Sequence, residues 1–155
     1  MNDTPLWQPV DQRIAASNMT AFRIAVEDAW NVNLPDYGAL YDFSIAEIEK
    51  FWISLKDYAG VSAETWGDAV LENPGQMPGA RFFPDGRLNF AENLLRRRDD
   101  GEAMVFWGED KVRRRVTYGQ LYDRVSVTAQ ALAELGLGKG DRAGGYLPNM
   151  PEAAI

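Results

Sequence analysis

Ala103-Met104-Val105-Phe106-Trp107, followed by Gly108 to Lys111 and then Val112 to Thr117, is where the sequence changes from a helical to an extended period. An apolar run of strand length, a turn and a second run predict a β-hairpin. Thr117, with Gln120 three positions on, predicts the capped start of a long helix. Leu121, Val125, Ala129, Leu132 and Leu135 are expected to form its buried face, and Gly136 to end it. Residues 137–141 read as a Gly-rich turn and Arg142 to Leu147 as a short strand. Pro148-Asn149-Met150-Pro151-Glu152 reads as a helix opening, with Asn149 or Met150 at the cap and Pro151 tolerated in the first turn. A strand followed by such a helix needs a parallel partner strand, and one helical turn cannot hold together alone. On this reading the chain is cut inside a βαβ unit. The expected class is α/β, expressed as α+β within these 155 residues, at the amino-terminal end of a larger protein.

Upstream, the period is helical. Met19, Phe22, Val26, Ala29 and Trp30 recur on one face, with Ser17 and Asn18 as candidate caps and Asn31 to Pro35 as the stop. Ser44 and Glu47 have capping-box spacing, and Phe43 with Ile48 has the spacing of a hydrophobic staple. A helix is therefore expected to start there, with Ile48, Phe51, Trp52, Leu55 and Tyr58 as its apolar stripe and Gly60 as its left-handed stop. Pro74, Gly75, Pro78, Gly79, Pro84 and Gly86 make residues 60–88 a long connection, expected to pack along something larger. Asn89 is placed to cap a short helix through Leu95. The expected division is a helical extension over 1–60, a connection with a short helix over 61–101, and the start of a large domain over 102–155.

Composition narrows the chemistry. At 155 residues a complete domain would bury roughly 70% of the surface its unfolded chain exposes. With 46% hydrophobic and 25% charged residues the chain is ordinary globular material. Sixteen basic against 23 acidic side chains give a net charge of −7, which disfavours nucleic acid and anionic membrane as partners. The runs Arg96-Arg97-Arg98 and Arg113-Arg114-Arg115 are local exceptions that read as solvated faces. Neither cysteine nor histidine occurs, which excludes disulfides, thiolate nucleophiles, Cys/His zinc sites and imidazole bases. No basic-then-apolar leader opens the sequence, so the cytoplasm is the expected location, and the sequons Asn2-Asp3-Thr4 and Asn18-Met19-Thr20 are read as accidental.

Gly136-Leu137-Gly138-Lys139-Gly140-Asp141 looks superficially like a nucleotide loop. In phosphate loops, however, the glycines follow a strand and open a helix, whose amides hold the anion. Here they close a helix and precede the predicted strand, so a helix stop and turn is the reading. Glu27-Asp28 and Glu49 are expected on solvent-facing polar surfaces, and Glu47 is assigned to capping. Ser126 and Thr128 have no histidine to activate them. The sequence thus nominates no catalytic, cofactor-binding or metal-ligating residue.

Three stretches together resemble the acyl-CoA synthetases of the adenylate-forming superfamily. Tyr37-Gly38-Ala39-Leu40-Tyr41-Asp42-Phe43-Ser44 through Phe51-Trp52 is similar to the helical extension shared by acetyl- and acetoacetyl-CoA synthetases. Pro78-Gly79-Ala80-Arg81-Phe82-Phe83-Pro84 to Leu88-Asn89-Phe90-Ala91-Glu92-Asn93-Leu94-Leu95 resembles the acetoacetyl branch, with Phe82 where tryptophan is usual and Phe90 where tyrosine is common. Val116 to Leu121, Gly136 to Arg142 and Tyr146 to Ala153 resemble the superfamily broadly. The resemblance implies an acid–thiol ligase: a carboxylic acid attacks the α-phosphate of Mg-ATP to give an acyl-adenylate and pyrophosphate, and the thiol of coenzyme A then displaces AMP. It implies acetoacetate as the acid, with ATP, Mg2+ and coenzyme A as cofactors of the full-length parent. It also implies that the phosphate loop, the ribose-binding acid, the hinge and the late lysine lie beyond Ile155. Residues 1–155 alone are then expected to be inactive, to bind none of the cofactors tightly, and to have the rest of their own chain as partner. A synthetase for another short acid, such as acetyl- or propionyl-CoA synthetase, and a standalone docking module are the alternatives.

Overall fold

The computed structural model describes residues 6–109 and 112–155. The sequon Asn2-Asp3-Thr4, and Asp110 and Lys111 of the expected hairpin turn, lie outside the described residues. The chain divides into two compact units, Met1–Leu88 and Asn89–Ile155.

The first unit is built on helices α1 (Asp11–Ala15), α2 (Asn18–Trp30), α3 (Tyr37–Ala46) and α4 (Ile48–Tyr58). Ser17 caps α2 as its position predicts, its hydroxyl accepting from the Thr20 amide at 3.2 Å. Val26 is fully buried, and Phe22, Leu34, Leu40 and Phe43 close around it to form the core. Each such side chain contributes on the order of 1.5–3 kcal/mol by leaving water. Met19 and Ala29, expected on the same face, remain exposed. Phe22 meets Phe51 and Tyr58 edge to face at 5.7 and 5.3 Å, and the Trp30 indole donates to the buried Ser54 hydroxyl at 2.7 Å. These contacts fix α2 against α4.

The expected capping box at Ser44 is not formed. Helix α3 begins earlier, where the Asp36 carboxylate accepts from the Ala39 amide at 2.9 Å, and it runs through Ser44. The Ser44 hydroxyl donates back to the Tyr41 carbonyl at 2.7 Å, while Glu47 makes no side-chain cap and pairs with Lys50. Starting at Asp36 lets α3 bury both Leu40 and Phe43, whereas a start at Ser44 would leave Leu40 outside a helix. The break between α3 and α4 falls at Glu47, with φ −118° and ψ 53°. Gly60 ends α4 as expected: at φ 61° it allows Gly60 N–H to reach Asp57 and Val61 N–H to reach Lys56, a Schellman motif.

Residues 61–88 are more ordered than a plain connection. Strands β1 (Leu71–Glu72) and β2 (Arg81–Phe82) pair antiparallel, and Thr65 bridges Arg87.

In the second unit Asn89 caps α5 (Phe90–Leu94), accepting from the Glu92 amide at 3.1 Å. Strands β3 (Glu102–Trp107) and β4 (Arg113–Thr117) form the expected hairpin, with Met104 opposite Val116 and Trp107 opposite Arg113. Val116 is almost wholly buried. Thr117 and Gln120 form a reciprocal capping box at the start of α6 (Tyr118–Glu134), and Gly136 at φ 91° ends it. The expected buried face of α6 is only half covered: Leu121, Val125 and Leu132 are intermediate, while Ala129 and Leu135 are exposed. Arg142 to Leu147 is not a strand here, since among the described residues no third strand lies beside it to complete a ladder. Helix α7 (Pro151–Ala154) opens at Met150 with Pro151 in its first turn, as expected.

The cap formed at Asp36 and the one expected at Ser44 separate by substitution. Asp36→Ala is expected to lower unfolding stability by about 1 kcal/mol, a typical cap value. Ser44→Ala is expected to change it by less than about 0.5 kcal/mol. Urea denaturation of the two variants reads the difference, and the opposite ranking would restore the cap at Ser44.

Candidate functional site

The first unit carries an aromatic groove. Trp52, Leu55, Lys56 and Ala59 line it from α4 and its end, and Val61, Trp66, Phe82 and Phe83 line it from the segment that follows. Its volume, about 480 Å³, is within the range of small-molecule pockets. Trp52 meets Phe82 at 5.1 Å and Trp66 meets Phe83 at 5.0 Å. The Lys56 ammonium lies 5.0 Å from the Trp66 ring centre and pairs with Asp57. Phe83 sits at φ 44°, a left-handed value that costs a side-chain-bearing residue free energy. It is held there by its amide bond to Val70 and by Gly86 N–H donating to its carbonyl, each at 2.8 Å. The spacing Phe83-Pro84-Asp85-Gly86 is a turn signature that the sequence does carry. The convergence of Trp66 on Phe83 is nonlocal, and no local pattern announces it. Chemically the groove offers apolar surface and one paired cation, with neither a nucleophile nor a base.

The acidic candidates have structural partners. Glu27, expected to face solvent, instead accepts from the Leu34 amide at 2.7 Å and from Arg23 at 2.9 Å, tying the turn after α2 back onto that helix. Asp28 and Glu49 are exposed as expected. The Ser54 hydroxyl is occupied on both sides, by Trp30 and by the Lys50 carbonyl.

In the second unit the arginine runs are mostly exposed but are organised by aromatic rings. Arg98 stacks 3.7 Å above Tyr122, Arg97 lies 4.3 Å from Tyr118, and Arg113 lies 4.4 Å from Trp107. Arg114 is the exception to the solvated reading: half-buried, it grips Glu152 with both terminal nitrogens, Nη2 at 2.8 Å. This pair ties α7 to β4. The Arg114 guanidinium holds the Glu152 carboxyl below its ordinary value. Arg97, helped by the Gly101 amide, does the same for Asp99.

The Gly136 to Asp141 segment is a turn: Asp141 N–H reaches the Gly138 carbonyl, and the Asp141 carboxylate accepts from Gly138 N–H at 2.8 Å. The Gly138 amide is thus occupied by the chain's own carboxylate. Ser126 is bonded to Gln130, and Thr128 is exposed on α6. Among the described residues no cluster of three or more His, Cys, Asp or Glu could hold a metal ion. Among the same residues no helix is long and apolar enough to cross a membrane.

Residues 37–94 match the family described as acetyl-coenzyme A synthetase N-terminus, and residues 90–155 match the AMP-binding enzyme family. The chain is 41% identical over 150 residues to the acetoacetyl-coenzyme A synthetase of Rhizobium meliloti (strain 1021), covering 97% of this chain and 23% of that relative. It is 34% identical over 135 residues to the 3-hydroxypropionyl-coenzyme A synthetase of Sulfurisphaera tokodaii, covering 84% of this chain and 20% of that one. The solved structure of acetoacetyl-CoA synthetase from Streptomyces lividans matches with a TM-score of 0.87 at 36% identity, over 97% of this chain and 24% of that chain. The chain thus spans less than a quarter of the length of each of these relatives.

The lowered Glu152 carboxyl sets the sign of a pH effect. A carboxyl held below its unfolded value stabilises above that value and loses the stabilisation as pH falls through the lowered one. Glu152→Gln is therefore expected to lower Tm at pH 7, with the gap to the unsubstituted chain narrowing as pH falls into and below the ordinary glutamate range. Thermal melts across that range check it; a gap that stays constant would show that the carboxylate charge plays no part.

Proposed function

We propose, for a chain similar in sequence and fold to the amino-terminal region of acetoacetyl-CoA synthetases, that it serves as the amino-terminal part of an acid–thiol ligase acting on acetoacetate. The observation that carries this is the 41% identity sustained over 97% of the chain. The two family matches meet at residues 90–94 and together run from residue 37 to residue 155.

In this reading ATP, Mg2+ and coenzyme A serve the whole ligase. When bound they supply activation of the acid and its capture as a thioester. The residues described here contribute no group to that chemistry. They supply a folded platform: the helical extension over 1–60, the connection over 61–101 that contains the point where the two compact units part, and the first elements of the AMP-binding domain over 102–155. The exposed apolar side chains of α6 and the hairpin are surfaces on which the remainder of the ligase would pack. The net charge of −7 supports a partner set without nucleic acid or anionic membrane, and we place the enzyme in the cytoplasm, in lipid metabolism.

The likeness to a 3-hydroxypropionyl-coenzyme A synthetase supports a second reading, in which the acid is another short carboxylate. Reading the gene beyond the codon for Ile155 and expressing the whole open reading frame separates the two. Acid-dependent exchange of pyrophosphate into ATP is expected with kcat/KM highest for acetoacetate among acetoacetate, 3-hydroxypropionate, propionate and acetate. A preference for one of the others would overturn the substrate while leaving the ligase.

Residues 1–155 alone are expected to give no exchange with any of these acids. Exchange by the isolated chain would overturn the non-catalytic role. A chain that melts cooperatively and sediments as a monomer, from a frame that stops at Ile155, would favour a standalone module.

A further inference from the structure

We draw no further inference here: the strongest candidate, the aromatic groove between α4 and the segment that follows it, lined by Trp52, Trp66, Phe82 and Phe83, is an unpartnered apolar face, and nothing in the structure shows what covers it.

Discussion

The closure of α2 onto α3 and α4 around Val26 is the contact on which the first unit depends. Val26 has no exposed surface, and the residues that reach it come from three helices and the turn between two of them. Several polar contacts support that closure. Glu27 gathers the turn through Arg23 and Leu34, Asp36 starts α3 early enough to bring Leu40 and Phe43 inward, and Ser54 receives the Trp30 indole. In the second unit the corresponding joint is the reciprocal cap of Thr117 and Gln120, which turns the chain from hairpin into helix over a buried Val116.

Beyond those joints, much apolar surface stays uncovered. The chain exposes 12457 Å², whereas even two separate folded bodies of half its 17.4 kDa would together expose about 9,500 Å² by the usual area scaling. Trp107 at 65%, Val127 at 67% and Leu135 at 78% exposure account for part of the excess in the second unit, on an otherwise well-formed hairpin and helix. Side chains of this kind, on elements whose local geometry is sound, suit packing against further protein. This is why the proposed role is that of a platform within a larger ligase.

The sequence was legible wherever a local signal decides the outcome. Ser17, Asn89 and Thr117 cap the helices they were expected to cap, and Gly60 and Gly136 stop theirs, because a cap or a left-handed residue acts within a few positions. It misled where two local signals compete. Asp36 and Ser44 are both good caps in isolation, but α3, started by Asp36, runs through Ser44 and buries Leu40 and Phe43, so α4 begins at Ile48 without a cap from Ser44. Arg142 to Leu147 failed for a related reason, since a strand exists only with a neighbour to bond. The groove was invisible because its aromatic residues are separated along the chain and meet only after residues 61–83 fold back on α4.

The central proposal concerns a platform that works only as part of a ligase, so the most direct measurement replaces one platform with another. Residues 1–155 would be put in place of the matching amino-terminal segment of the Streptomyces lividans acetoacetyl-CoA synthetase, and acetoacetate-dependent loss of the coenzyme A thiol would be followed. The expected result is a soluble chimera that consumes the thiol only when acetoacetate and ATP are both present. A folded chimera with no such turnover would contradict the proposal.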